Sequence, residues 1–366
     1  LALSGEDEPP PQNASGLAFI EHRLGAAQGF TRYQAAFSLP PGEQNLEFRG
    51  VDNLGNTEAA NTLSVFVDTA APRTELIISG GKQYTQDGRT YASADTGFGF
   101  SALDPEVNVA ASGVRETLHS VDGSAYAVFR SSFSLSEGSH TLAFQSRDNV
   151  GNLEILQSTA IWVDAIAPIS AFHIGEPLFI SSTGVRHVSP VTPVTFTAQD
   201  SLSNGAGSGA ERIEIGVDGG AFAAYSSTLT FAEGRHVVRF RAVDRVGNIE
   251  SENTLELDSD ASAPITAFVP GEALLSLGGK DYAPGGLLYS LSSQDPVMQG
   301  VASGVRETRY RIDGVLLQEF TAAFGLGEGI RRVEFQSGDN VGNAELLKSA
   351  TVHVDATPPL TALDIG

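Results

Sequence analysis

Nine aspartates return at a nearly constant spacing along this 366-residue chain, and together they could hold cations. Asp68, Asp164 and Asp260 each open an Asp-x-x-x-Pro linker. Asp104, Asp200 and Asp295 end strand-like runs, and Asp148, Asp244 and Asp339 begin the turns DNVGNLE, DRVGNIE and DNVGNAE. The same turn occurs first as DNLGNTE, so that Asp52, Asp148, Asp244 and Asp339 stand 96, 96 and 95 residues apart. Carboxylate oxygens are hard donors, and three of them converging would repel strongly unless a divalent cation such as calcium sat among them. Turn chemistry is the plain alternative: Asp and Asn bond their own turn backbone while Gly supplies a positive φ. Both readings stay open on the residues alone.

The elements that would position these aspartates repeat with them. Ser-Gly follows at Ser15, Ser112, Ser208 and Ser303; Asp-Gly at Asp122, Asp218 and Asp313; Glu-Gly at Glu137, Glu233 and Glu328. Between these landmarks apolar residues recur with period 2, as in Leu142, Phe144 and Ser146, or Phe98, Phe100 and Ala102, or Leu63, Val65 and Val67. That is the pattern of half-buried strands, and no segment carries a helical stripe. The expected fold is all-β: tandem immunoglobulin-like or fibronectin-III-like β-sandwiches, about seven strands to each repeat of about 96 residues. The repeats are placed at 1–71, 72–167, 168–263 and 264–358, with 359–366 as the first strand of another. With the strands lettered A, B, C, C′, E, F and G, Asp104 to Ser112 is the B–C loop, Asp122-Gly123 the C–C′ turn, Glu137-Gly138 the E–F turn and DNVGNLE the F–G turn, and the B–C and F–G loops share the pole where the chain enters. Asp68, Asp104 and Asp148 should therefore meet, as should Asp164, Asp200 and Asp244, and Asp260, Asp295 and Asp339; Asp122 and Glu137 could approach the second set from the preceding repeat. Strands of about ten residues at ~3.3 Å each imply roughly 35–40 Å per repeat, on the order of 150 Å for four.

Composition excludes several functions. With 44 acidic and 22 basic residues, the formal charge of −22 disfavours nucleic acid and anionic lipid. There is no cysteine, hence no disulfide and no thiolate metal site. No window is apolar enough to span a membrane, and no signal peptide opens the sequence. HExxH, G-x-S-x-G and phosphate-loop motifs are missing, and the paired carboxylates recur at equivalent turns in every copy, so the chain reads as not an enzyme. Isopeptide staples fail because Lys82, Lys280 and Lys348 do not supply each repeat with a lysine. Trp162 has no aromatic counterpart in two of the other three copies and reads as an exposed strand position, not a sugar platform.

The series SGVRETLHSVDG, EGSHTLAFQSRDNVGNLE and WVDAIAP resembles the bacterial Ig-like repeats of large surface and secreted proteins. These include adhesin stalks and the repeats named after a leptospiral outer-membrane protein. The resemblance covers the whole chain and implies an extracellular or cell-surface location, a structural role in a stalk or filament, and calcium at junctions through the linker and F–G aspartates. Its partners would be neighbouring repeats, identical chains in a fibre, or a cell-surface or polysaccharide ligand. Two departures fall on the second junction: Arg245 stands where Asn53, Asn149 and Asn340 stand elsewhere, and Ser259 replaces a valine. Two other functions are carried forward. One is a carbohydrate- or surface-binding accessory module of a secreted enzyme. The other is a fibre subunit in which the tail, whose PPLTALDIG matches the strand-A stretch APISAFHIG, completes the first repeat of another copy by strand addition.

Overall fold

A computed structural model describes residues 1–7 and 14–363. Every regular element among them is a strand, arranged in mainly antiparallel sheets that resemble tandem immunoglobulin-like or fibronectin-III-like sandwiches. The chain divides into two compact units: one holds Leu1–Ile166 with Leu202–Ser208 and Arg245–Gly247, and the other holds the rest.

In the first unit, Thr31–Arg32, Leu17–Leu24, Gly42–Asp52 and Asn61–Val67 form one sheet in that order. Arg73–Ser79 pairs with Gly97–Leu103. A six-stranded sheet runs Ala127–Val128, Val114–Val121, Gly138–Asp148, Gln157–Asp164, Arg89–Ser93, Gln83–Gln86. The second unit repeats this plan twice. Ile169–Ile174 pairs with Val194–Gln199, beside a six-stranded sheet whose central pair is Gly234–Asp244 and Asn253–Ser259. Ile265–Pro270 pairs with Leu288–Gln294, beside a six-stranded sheet built on Gly329–Asp339 and Lys348–Asp355.

The period-2 reading sets the core. Along Gly138–Asp148 the residues Leu142, Phe144, Ser146 and Asp148 are buried, and their neighbours face outward. Leu142 packs with Ala92, Phe98, Ile161 and Val163. Phe240 and Phe335 occupy the equivalent cores of the second unit. Each buried phenylalanine stabilises by roughly 1.5–3 kcal/mol relative to exposure.

The structure departs from the expected strands in three places. The stretch after Arg73–Ser79 is not a loop but a hairpin, Gln83–Gln86 with Arg89–Ser93, which joins the six-stranded sheet by parallel pairing to Gln157–Asp164. Gly80 and Gly81, at φ +64 and +55, turn the chain out of the pair Arg73–Ser79 and Gly97–Leu103, a conformation glycine adopts at no steric cost. Strand E shrinks to a single bridge, Phe98 to Phe133 and Val194 to Leu229, or to Phe324–Gly325. Leu63, expected inside, is 44 % exposed, because no described strand lies against the far edge of Asn61–Val67 as Arg89–Ser93 lies against Gln157–Asp164. Trp162 is likewise corrected. It is half-buried beside Tyr91, its partner in the parallel register, with ring centroids 6.1 Å apart and the Arg89 guanidinium 5.2 Å from its ring. Residues 359–363 form no strand, and 364–366 lie outside the described residues.

Candidate metal centre

Each F–G aspartate organises its own turn. Asp148 Oδ1 accepts the N–H groups of Val150, Gly151 and Asn152 at 3.0, 2.6 and 2.8 Å, and its Oδ2 accepts Asn152 Nδ2 at 2.7 Å. Asn152 Nδ2 also donates to the backbone oxygen of Asp68 (3.2 Å), tying the turn to the linker. Asn149 Nδ2 donates to the carbonyls of Ser112 and Gly113, both at 2.9 Å, and so fixes the B–C loop.

The linker aspartate closes the arrangement. Asp68 Oδ2 accepts Ser112 N–H at 2.7 Å and Oδ1 accepts Ala70 N–H at 3.0 Å. Asp104 Oδ2 accepts Gly113 N–H at 2.7 Å. Asp260, Asp295 and Asp339 reproduce most of this arrangement. Asp260 accepts Ser303 and Ser262 N–H, Asp295 accepts Gly304 N–H, and Asp339 holds Asn343, whose Nδ2 donates to the Asp260 carbonyl at 2.9 Å. In both of these trios one carboxylate oxygen per residue lies within 4.8 Å of the others.

Turn chemistry accounts for most of these oxygens but not all. Asp104 Oδ1 and Asp295 Oδ1 are buried and have no hydrogen-bond partner, and both residues are only 8 % exposed. A buried carboxylate oxygen without a donor is costly, and two further carboxylates beside it raise the cost. The titration behaviour follows. Burial pushes the Asp104 carboxyl up, and the charges of Asp68 and Asp148 add to the shift. Burial, with the charges of Asp260 and Asp339, pushes Asp295 up to about 6. Asp339 is also raised, by burial first. Burial works against Asp68 too, but its contacts with Ser112 and Ala70 hold it below the ordinary carboxylate value. The donor set is all oxygen, with neither histidine nor thiolate, which fits a hard divalent cation.

Of the remaining trio, Asp164 belongs to the first unit and Asp200 and Asp244 to the second. Asp164 accepts the N–H groups of Ser208 (2.6 Å) and Ile166 (3.3 Å). Glu137 stands beside it, accepting Ala165 N–H at 2.5 Å, and burial raises its carboxyl. Asp200 accepts Gly209 N–H at 2.6 Å, and Asp244 accepts both N–H groups of Asn248. Arg245 Nη1 donates to the Ser208 carbonyl (3.1 Å), the bond Asn149 makes to Ser112, and its guanidinium lies 5.0 Å from the Tyr84 ring. Asp122 does not approach a trio: it binds His140 Nδ1 at 2.7 Å across its own hairpin.

One functional residue was not singled out from the sequence, although every copy prints it: the glutamate closing each seven-residue turn. Glu154 accepts Thr74 N–H at 2.8 Å, the Thr74 hydroxyl, and Ser146 N–H at 3.0 Å, fastening the first strand of a repeat to its F strand. Glu250 does this for Ser170 and Ala242, and Glu345 for Thr266 and Ser337. Its position at the end of a turn hides a partner some 80 residues away.

No family model matches the chain, and no curated protein matches it. Among solved structures it is similar to the fibronectin(III)-like modules of Clostridium thermocellum CbhA (13 % identity, 51 % of this chain, 95 % of that one, TM-score 0.26). It is also similar to the extracellular cadherin domains 3–6 of protocadherin gamma B2 (13 %, 93 % and 93 %, 0.29). A third likeness is to domains 7, 8 and 9 of the S-layer protein SbsC (13 %, 78 % and 100 %, 0.19). At these scores the fold class rests on the strand pairing above and not on the matches. The class that fold and site define is an all-β chain of immunoglobulin-like sandwiches with carboxylate trios between linker and loops.

Proposed function

We propose that this chain is a non-catalytic structural segment of an extracellular bacterial stalk or filament, stiffened by calcium where a linker enters the next repeat. One observation carries the reading: in two trios, Asp68 with Asp104 and Asp148, and Asp260 with Asp295 and Asp339, one buried carboxylate oxygen has no donor. Calcium bound there would neutralise the converging charges and join the linker aspartate to the loops of the repeat that follows. By sequence, Asp164, Asp200 and Asp244 take the same roles, with Arg245 as the departure. Among the described residues no helix is long and apolar enough to cross a membrane.

Thermal melts and small-angle scattering in millimolar calcium and in chelator test this. Calcium at a hundred times its dissociation constant adds about 2.7 kcal/mol per site, so the melting point should rise and the scattering profile should become that of a stiffer particle. Asp104→Asn with Asp295→Asn should remove most of the rise. An unchanged melt and profile would reduce the aspartates to turn-formers.

A second reading, anchoring to polysaccharide, is favoured by one feature. Tyr84, Tyr91 and Trp162 lie in a row on neighbouring strands, with centroids 6.3 and 6.1 Å apart. A glycan array on the whole chain, repeated with Trp162→Ala, separates the two: signal lost with the indole supports anchoring, and an empty array leaves the stalk.

A further inference from the structure

At the pole opposite the aspartate trios, one side chain ties the E–F turn of a repeat to its C–C′ turn, and that side chain changes type along the chain. His140 Nδ1 lies 2.7 Å from Asp122 Oδ2, and its Nε2 lies 2.9 Å from the Ser136 carbonyl oxygen. His236 repeats both contacts, with Nδ1 2.8 Å from Asp218 Oδ2 and Nε2 2.9 Å from the Ala232 carbonyl oxygen. In the fourth repeat Arg331 stands at this position. Its Nη1 donates to Asp313 Oδ2 at 2.9 Å, and its Nε and Nη2 donate to the Gly327 and Glu328 carbonyls at 3.0 and 2.8 Å. The first repeat has Gln44 there, and Leu24 in place of the aspartate.

Both partners of each imidazole are acceptors. A neutral ring carries one N–H, so it can donate to the carboxylate or to the carbonyl, and its other nitrogen then turns a lone pair on an oxygen. Only the imidazolium donates to both. Arg331 meets the equivalent acceptors with a group that carries its charge at every pH a folded protein meets. The rings are also shielded from water, with side chains 12 % and 15 % exposed. Asp122 and Asp218 are the charged groups that face them. In the adjoining turns Glu137 accepts Ala165 N–H and Glu233 accepts the Ser262 hydroxyl, while Arg235, next along the strand, is paired with Glu256. On the neighbouring strand the rings stand opposite Ile161 and Leu257, and the Phe231 ring lies 5.0 Å from His236. The Thr141 N–H, and then His140, hold the Asp122 carboxyl below the ordinary value. Burial works against Asp218, but Val237 N–H and His236 hold it low as well.

The tie reaches the backbone on both sides. Asp122 Oδ1 accepts Thr141 N–H at 2.7 Å and Asp218 Oδ1 accepts Val237 N–H at 2.9 Å, as Asp313 Oδ1 accepts Arg332 N–H at 2.8 Å. The carbonyl partners belong to the E–F turns, whose glutamates bond the outgoing linker at Ala165 and Ser262.

We propose that His140 and His236 are proton-operated clasps, closed when the ring is an imidazolium and half-open when it is neutral, and that Arg331 is the permanently closed form. The second and third repeats would then hold their outgoing ends more tightly at low pH than at high pH. The sign follows from the bonds. They are complete only in the imidazolium, so the stabilisation they give is present at low pH and is lost as the rings lose their protons. The proposal goes beyond the calcium reading and shares no residue with it.

Hydrogen exchange at single amides of the whole chain tests this, in chelator, at about pH 5.5 and pH 8, either side of the ordinary imidazole value of about 6.5. The parent is compared with a His140→Arg, His236→Arg chain at each pH, so that titration elsewhere in the molecule cancels. At pH 5.5 Thr141 and Val237 should be protected alike in the two chains. At pH 8 the arginine chain should protect both amides about tenfold more, the scale of one hydrogen bond to a charged group. Arg332 is the reference amide and should match between the chains at each pH. A His140→Gln, His236→Gln chain, neutral throughout, should protect Thr141 and Val237 less than the parent at pH 5.5 and equally at pH 8. An arginine chain that differs from the parent by the same factor at both pH values, or at neither, overturns the proposal. So does a glutamine chain that matches the parent at pH 5.5.

Discussion

Glu154→Ala is expected to destabilise the first unit by about 3–5 kcal/mol, the range for breaking a buried charged network. The carboxylate is 8 % exposed and accepts bonds from Thr74 N–H, the Thr74 hydroxyl and Ser146 N–H. Alanine leaves two interior backbone donors without acceptors, and each such loss costs about 1–3 kcal/mol. It also frees the first strand of the repeat, because Thr74 is where Arg73–Ser79 is fastened to the other sheet. The control lies within the same chain. Glu58, the glutamate of the first turn, is exposed and accepts Gly50 N–H and Asn61 Nδ2 but, among the described residues, no threonine or serine of an opening strand, so Glu58→Ala should shift the denaturant midpoint much less. Equal effects from the two substitutions would show that Glu154 acts as an ordinary turn residue. Glu250 allows a pH check. Burial works against its ionisation, but bonds from Ser170, Ala242 and Asn253 hold its carboxyl below the ordinary value. A depressed folded value contributes stability above the unfolded pKa of about 4.5, and that contribution is lost as pH falls through the folded value. Glu250→Ala should therefore flatten the acid limb of the unfolding curve.

What could be read from the sequence depended on how local each signal was. Alternation along Gly138–Asp148 and the Asp-Gly turns are short-range patterns, and both appear in the structure: Leu142 and Phe144 are buried, and Asp122 and Gly123 take φ of +52 and +73. The meeting of Asp68 with Asp104 and Asp148 was also legible, because loop order in a sandwich fixes which turns share a pole. Long-range pairing was not. Parallel pairing of Arg89–Ser93 with Gln157–Asp164 joins segments with no matching motif, in the stretch where the copies differ most, so the hairpin was missed and Trp162 was misplaced with it. Glu154 was overlooked for the opposite reason. Its turn explained itself so well that the outward reach to Thr74 had no separate signature.

In chelator, stability should fall as pH rises from about 4 to 7, and Asp295 should carry much of the fall. Its carboxyl is raised from 3.8 to about 6, chiefly by burial and then by the charges of Asp260 and Asp339. A raised folded value means the folded state binds more protons than the unfolded one between those two values. The stabilisation from the protonated form is complete below pH 3.8 and is lost as pH passes through 6. The shift corresponds to about 3 kcal/mol at neutral pH. Asp295→Asn holds the site neutral and keeps an acceptor for Gly304 N–H, so in chelator at pH 7 the variant should be more stable than the parent. A cation reverses the sign, because it favours the ionised carboxylate and turns the repulsion into attraction. With calcium present the parent should gain stability as pH rises through 6, and Asp295→Asn, lacking a charged ligand, should gain much less. The two proteins should therefore exchange rank between chelator and calcium at pH 7, and should converge in chelator only well below pH 3.8, where Asp295 is protonated both folded and unfolded. Turn chemistry alone has no means of producing that exchange, since it assigns Asp295 a single backbone bond that the amide can also accept.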